Sequence, residues 1–426
     1  MVEMKFLGGC RTIGGSAISV SSENKNLLLD YGMMMGKPPK FPSNISPKDL
    51  SFIILSHCHA DHSCGLPILY SGAAAPRLLT TPPTIDLARL IIFDTIKISK
   101  YFLPYERQEV IQMIKNTQTF GYNKVKIKNG ISLTFYNAGH IPGSALALLE
   151  IDGKRILYTG DLNLTQTRLV NNAHMDFPNL DYVIIESTYA LEEHPDRLQT
   201  EGEFIQEVNQ IIENDGIVLV PAFGVSRSQE ILLVLNKYNI KCPIYIDGMA
   251  RSASLIIRDH PNFMRDFDFY KSALKKGKLI SFHRKKKKER LAAMSKPGII
   301  IAPSGMLQGG TAVMYLESLA ENENNGIFLV SYQVPESPGR SLLDNGYFVS
   351  KEDHKKIQVD AKLKIYNFSS HSDKNQLWKF IENLDLNPDA KIFCIHGEEN
   401  ACVEFAKKIN EDLKIEAYAP KTDEIY

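Results

Sequence analysis

Apolar residues in the first part of the chain recur in short alternating runs. Residues 4–7, 17–20, 26–30 and 52–56 read this way, as do 131–136, 146–151, 155–159 and 182–186. Alternation of period two, bounded by Gly, Pro and Asn, predicts strands. Between them, residues 85–98 and 106–115 space their apolar positions three and four apart, which predicts helices. From about residue 191 to 340 the pattern changes. Apolar runs at 217–221, 244–247, 298–302 and 327–332 alternate with helical stretches at 226–237, 250–259 and 311–319. Buried strands alternating with helices predict a parallel-sheet α/β unit. Residues 362–368, a helix over 374–384 and a strand over 391–396 then resume the first style. The prediction is an α/β unit at 191–345 inserted into a domain built from 1–190 and 346–426.

At 426 residues the chain is long enough for two such bodies, and its 44% hydrophobic and 23% charged residues can furnish large cores. It has no apolar stretch of bilayer-spanning length, and its first ten residues lack the basic start and apolar core of a secretion signal. The six cysteines are scattered, with no CxxC pair. A cytoplasmic protein with no membrane partner is therefore expected. Formal net charge is zero, so any grip on a polyanion has to be local.

The strongest chemical signal is Ser56-His57-Cys58-His59-Ala60-Asp61-His62, which follows an apolar strand. Imidazole nitrogen and carboxylate oxygen at this density suit one or two zinc ions, and a solvated polar loop is the plain alternative. Two further strand ends carry ligand types: His140 in Ala138-Gly139-His140, and Asp161 in Tyr158-Thr159-Gly160-Asp161. Alone, each would read as structural; beside the histidine-rich segment they read as ligands. Asp30 closes Leu27-Leu28-Leu29-Asp30, where a carboxylate can accept the outer ring N–H of a ligand histidine.

These five segments, in this order, resemble the metallo-β-lactamase superfamily. The resemblance implies an αββα sandwich with two zinc ions per chain. It gives His57, His59 and His140 to the first ion, Asp61 and His62 to the second, and Asp161 to both. Three later segments resemble the motifs of the β-CASP group: Glu186 in Ile184-Ile185-Glu186-Ser187-Thr188-Tyr189, His371 in Phe368-Ser369-Ser370-His371-Ser372-Asp373, and His396 in Ile395-His396-Gly397-Glu398. A histidine in the third motif is typical of RNA-processing members, and by that resemblance His396 completes the second zinc site. The second motif is closer to the cleavage and polyadenylation nuclease branch than to RNase J. The resemblance thus implies internal cutting of RNA, with other RNA-processing proteins or a second copy of the chain as possible partners.

Within such a site the residues suggest roles. Asp161 would help hold the metals, His371 would protonate the departing ribose oxygen, and Glu186 would support His371 by a hydrogen bond. Products would end in a 5′-phosphate and a 3′-hydroxyl. A helix cap is the plain reading of His371, and a solvated strand end that of Glu186. Because the insert is expected to cover the zinc edge, single-stranded RNA should enter more easily than a duplex.

Candidate substrate contacts lie in the insert. Ser304, Gly305, Gly309 and Gly310 follow a buried strand and open a helix, so their backbone either faces a phosphate or simply turns. The run His283-Arg284-Lys285-Lys286-Lys287-Lys288-Glu289-Arg290 either neutralises phosphates through residues such as Lys285 and Lys286 or is a solvated helix entrance. Arg227, Arg251 and Arg340 either clamp phosphates or pair with acids. Phe223, Tyr245 and Tyr332 read as core packing. Two rival functions are a 5′-to-3′ exoribonuclease of RNase J type and a non-catalytic subunit of an RNA-cleavage complex; the intact ligand set speaks against the second.

Overall fold

The N-terminal apolar runs become β1 (Glu3–Gly8), β2 (Ala17–Ser22), β3 (Lys25–Leu29), β4 (Phe52–Ile54), β5 (Leu78–Thr80) and β6 (Thr117–Thr119) in a computed structural model of the chain. It describes residues 2–426 except 24, 37, 100–101, 129, 284 and 350–355. These six strands form one sheet in chain order, antiparallel across β1–β3 and parallel from β3 to β6. A second set follows: β7 (Val125–Lys128), β8 (Ile131–Asn137), β9 (Ala145–Ile151), β10 (Lys154–Tyr158) and β11 (Leu180–Glu186).

The next segment forms its own sheet from β12 (Ile217–Pro221), β13 (Ile244–Ile246), β14 (Gly277–Leu279), β15 (Gly298–Ala302) and β16 (Gly326–Leu329). A small hairpin, β17 (Tyr347–Val349) with β18 (Lys356–Gln358), precedes β19 (Lys362–Ile365). The larger sheet is parallel throughout, in the order β14-β13-β15-β12-β16-β19. Strand β19 pairs with β16 here, whereas the sequence pattern grouped residues 362–368 with the C-terminal part. The reason is physical: an edge strand that buries little shows alternation but carries no signal of which sheet it joins.

Two last strands, β20 (Leu386–Ile395) and β21 (Glu416–Tyr418), return to the second set and give the order β21-β20-β11-β10-β9-β8-β7. Compactness divides the chain accordingly. Met1–Gln166, Val170–Glu193 and Ser370–Tyr426 make one unit; Thr167–Leu169 and His194–Ser369 make the other.

In the first unit the two sheets lie face to face. Phe6, Ile18, Leu27, Leu29, Phe52 and Ile54 of one meet Leu133, Phe135, Ala147, Leu149, Tyr158 and Phe393 of the other. Each such large apolar side chain contributes roughly 1.5–3 kcal/mol when fully buried. The outer face of the second sheet buries Leu157, Val183, Ile185 and Ile392 against the helices Lys374–Glu382 and Glu399–Lys408. The layering is the expected αββα. Among the described residues no helix is long and apolar enough to cross a membrane, and all six cysteines are free thiols.

One close approach in this unit bears on the site. Gly32 lies against the turn that carries Asp61, and a Cβ on it would fall 1.7 Å from the Asp61 carbonyl oxygen. Its N–H donates to Ser16 O, and Ser16 N in turn donates to Asp61 O. A Gly32→Ala substitution must push these backbones apart. It should cost at least about 1–3 kcal/mol, typical of overpacking. A lower urea midpoint at constant slope is the expected result, and an unchanged midpoint would contradict this packing.

Candidate metal centre

Six strand ends of the first unit deliver the predicted residues to one edge. Asp30 follows β3, the histidine-rich turn follows β4, His140 follows β8, Asp161 follows β10, Glu186 ends β11 and His396 follows β20. Strands β10, β11 and β20 are parallel neighbours, with Tyr158 opposite Ile184 and Glu186 opposite Ile395, so their ends are level. Backbone reversals then aim the side chains: Asp30 and His396 have φ of 55° and 49°, and Gly160, just before Asp161, has φ of 50°. A side chain at Gly160 would also meet Ser56 at 2.7 Å.

The ligand-type atoms fall into two groups that share an edge. His57, His59, His140 and Asp161 make one; Asp61, His62 and His396 make the other. In the first, His59 Nδ1 lies 3.2 Å from His57 Nε2 and 3.1 Å from His140 Nε2. In the second, His396 Nε2 lies 3.2 Å from His62 Nε2 and 3.3 Å from Asp61 Oδ2. Asp161 stands between them. Its Oδ2 is 3.4 Å from His57 Nε2 and 3.6 Å from His140 Nε2, while its Oδ1 is 3.3 Å from His62 Nε2 and 3.5 Å from His396 Nδ1.

Neighbouring groups decide which ring nitrogen faces inward. His140 Nδ1 donates to the Ser370 carbonyl at 2.8 Å, and a carbonyl only accepts, so Nε2 keeps its lone pair for the centre. His62 Nδ1 donates to Asp30 Oδ2 at 2.7 Å. The same carboxylate accepts from Ser56 N, Ser56 Oγ and Tyr158 OH at 2.6–2.7 Å. Thr188 Oγ1 meets His396 Nδ1 at 3.3 Å.

Protonation follows from burial and charge. Burial together with His57 pushes His59 down to about 3, and burial with the neighbouring histidines lowers His57 and His140. Three neutral imidazoles therefore converge on one point. Burial opposes charge on His62, but Asp161 and Asp30 outweigh it and hold this imidazole well above its usual range. Burial likewise disfavours ionised Asp161, yet the surrounding imidazoles keep it well below the carboxylate range.

These residues fit a pair of metal ions. Among the described residues Asp161 Oδ1 is buried with no hydrogen-bond partner, which is costly unless a cation meets it. Facing ring nitrogens at 3.1–3.2 Å give each other too few protons to hydrogen-bond throughout. A tetrahedral zinc with nitrogen ligands at about 2.0–2.1 Å would separate those ligands by roughly 3.3 Å. The donor set, imidazole and carboxylate, suits zinc.

Glu186 and His371 form a third group with Asp161. Glu186 is fully buried, accepts from Leu162 N at 2.7 Å and holds His371 Nδ1 at 3.0 Å. The other ring nitrogen of His371, Nε2, lies 3.9 Å from Asp161 Oδ2. Burial disfavours its charge, but Glu186 and Asp161 outweigh that and push the imidazole up to about 9.

The structure thus brings together His57, His59, Asp61, His62, His140, Asp161, Glu186, His371 and His396, with Asp30 directly behind. Ser56, Tyr158, Thr188 and Ser370 escaped the sequence reading. Their only signal was position, since each lies one to three residues from a residue that was singled out.

The insert residues sit in the second unit. Ser304 Oγ accepts from Gln308 N, Gln333 Nε2 donates to Gly305 O, and Gly309 O accepts from Ser304 N, so the 304–310 loop is folded on itself before the helix Gly310–Leu319. Arg227 is buried and donates to the Val330 carbonyl, and Arg340 pairs with Asp344. Lys285 precedes, and Lys286 begins, the helix Lys286–Ala293; Arg284 lies outside the described residues. Tyr332, read as core, is 40% exposed.

Three domain profiles match the chain: a metallo-beta-lactamase superfamily domain at residues 19–183, a Beta-Casp domain at 228–342, and a Zn-dependent metallo-hydrolase RNA specificity domain at 356–420. RNase aCSPSF2 of Saccharolobus solfataricus is 35% identical over 422 residues, covering 98% of this chain and 84% of that protein. The chain belongs to the β-CASP group of the metallo-β-lactamase superfamily. An RNase J-like protein of Methanocaldococcus jannaschii is also 35% identical, over 99% of this chain and 98% of its own length. A crystal structure of a protein of unknown function from Enterococcus faecalis shares the fold, with TM-score 0.60 and 16% identity over 100% of this chain and 99% of that one. Membership in this β-CASP group makes the chain a metal-dependent hydrolase.

An Asp30→Ala change removes the acceptor that orients His62 and leaves Tyr158 OH buried without it. Zinc affinity, measured by competition with a chromogenic chelator, should fall about 10- to 100-fold. Equal affinity would mean that Asp30 does not orient the ligand.

Proposed function

We propose that this chain is a two-zinc ribonuclease that cuts single-stranded RNA internally and leaves 5′-phosphate and 3′-hydroxyl ends. The observation that carries the reading is the two-sided Asp161 carboxylate, with two ligand imidazoles at each oxygen and the Glu186-supported His371 beside it. His57, His59, His140 and Asp161 would hold one ion; Asp61, His62, His396 and Asp161 would hold the other. When bound, a zinc pair supplies activation of water near neutral pH and Lewis acidity toward a phosphoryl oxygen.

The chain's own residues supply the rest. Asp30, Ser370 and Thr188 fix the ring nitrogens and so preset the ligand geometry. Glu186 cannot turn away, because Leu162 N and His371 both claim its oxygens. His371 is held with Nδ1 toward Glu186 and carries a proton on Nε2, the atom that faces the centre. From there it can protonate the departing 3′ oxygen. RNA as the substrate class is supported by the relatives named as RNases and by His396 in the third motif. The likeness to an RNase J-like protein favours one second reading, 5′-to-3′ removal of nucleotides.

Circular single-stranded RNA separates the two. An endonuclease linearises the circle at a rate comparable to that for a linear strand of the same sequence; an intact circle beside a degraded linear strand would leave the exonuclease reading.

His371→Ala should lower turnover by about two to four orders of magnitude, as expected for loss of a general acid, with zinc content unchanged. The sign of its pH dependence is fixed by a raised pKa: the donating form is complete at neutral pH and disappears on the alkaline side. Bound dications repel the imidazolium, so the wild-type rate should fall along a limb at or below about pH 9. The variant should lack that limb. A variant that loses zinc, or keeps the limb, would remove His371 from this role.

A further inference from the structure

The second unit carries an aromatic and cationic surface that the metal chemistry does not use. Phe282 follows β14 and is 47% exposed. The Arg251 guanidinium lies over this ring at 4.5 Å from its centroid. Arg251 belongs to the helix Met249–Arg258, so two elements of different sequence position build the stack.

The residue before the ring is tied to the basic run. Glu289, in the first turn of Lys286–Ala293, accepts from both Ser281 N and Ser281 Oγ, at 2.6 and 2.5 Å. Those bonds to Ser281 hold its carboxyl below the usual range, with Lys285 and Arg251 adding to the effect. The residue before Phe282 is therefore tied to the helix whose entrance displays Lys285, Lys287 and Lys288, all exposed. A solvated helix entrance would explain the lysines alone. It does not explain an exposed ring, covered on one side by a planar cation and tethered beside them.

We propose that Phe282 and Arg251 form a stacking platform for one base of single-stranded RNA, with Lys285, Lys287 and Lys288 neutralising the phosphates that flank it. A flat apolar ring suits any base, because every base has a π-face, and an adjacent cation strengthens the stack. The lysines meet the backbone without reading sequence. The platform is thus a sequence-tolerant contact. It rests on RNA being the substrate, and it adds a base contact far along the chain from the metal ligands.

The test uses the full metal-loaded chain in a His371→Ala background, where slow turnover keeps the strand intact. The probes are a fluorescein-labelled 12-nucleotide RNA and an abasic strand of equal length and charge, compared by anisotropy. The base-bearing strand should bind about 5- to 100-fold more tightly than the abasic one. Phe282→Ala should erase most of that ratio, Phe282→Leu should behave like Ala because it lacks a flat face, and Phe282→Trp should keep the ratio. Changing Lys285, Lys287 and Lys288 to Gln should weaken both strands alike and flatten the slope of log affinity against log salt. A ratio that survives in Phe282→Ala, or that Leu preserves, overturns the platform. So does Phe282-dependent binding to anionic lipid vesicles with no RNA preference. A Phe282-dependent ratio in a chain that never cuts RNA would keep the platform and sink the nuclease. Cutting with an unaffected ratio would do the reverse.

Discussion

Everything at the strand-end edge of the first unit depends on a buried carboxylate that the protein does not itself satisfy. Asp161 lies out of solvent, among the described residues its Oδ1 has no hydrogen-bond partner, and its neighbours His57 and His140 are held neutral while His62 and His371 favour the charged form. The surrounding imidazoles offset part of the several-kcal/mol cost of such a charge in a low-dielectric interior, but only while some of them stay protonated. A fold tolerates that when a cation completes the arrangement, and the converging imidazoles show where it would sit. Metal uptake would then stabilise the folded chain, because these groups meet only once the strand ends are assembled.

The surrounding structure is built to keep those groups from relaxing. The face-to-face sheets bring six strand ends to one edge, and the Asp30 carboxylate and Ser370 carbonyl accept from the outer ring N–H groups of His62 and His140. Asp30 gathers four donors, so moving it would strand Ser56, Tyr158 and His62 together. Glu186 plays the equivalent part for His371. Precision at the centre is thereby inherited from the core, where the sheets are packed by large apolar side chains, and from Gly32, whose missing side chain lets the Asp61 turn settle against β3's exit.

Much of this was legible in the chain because the ligands are rare residue types in a rare spacing. His57, His59, Asp61 and His62 announce themselves within six residues, and His140, Asp161 and His396 each close an apolar run. The alternation of strand and helix likewise exposed the inserted sheet. What stayed hidden lacked a one-dimensional signature. Ser56, Tyr158, Thr188 and Ser370 act through ordinary hydroxyls or a carbonyl, which any sequence contains in abundance. Strands β5 and β6 are three residues long, too short for periodicity to register. Residues 362–365 alternate correctly yet join the inserted sheet, since alternation reports a strand but not its partner. Phe282 could not be picked out before Arg251 was seen above it, because the two are thirty-one positions apart and joined only by the fold.

The central proposal is that Asp161 would serve two metal ions, and anomalous diffraction at the zinc edge from zinc-loaded crystals addresses it directly. Two peaks are expected about 3.5–4 Å apart, one beside His57, His59 and His140 and the other beside Asp61, His62 and His396, each within bonding distance of one Asp161 oxygen. A single peak, or two peaks that leave Asp161 unligated, would contradict the account.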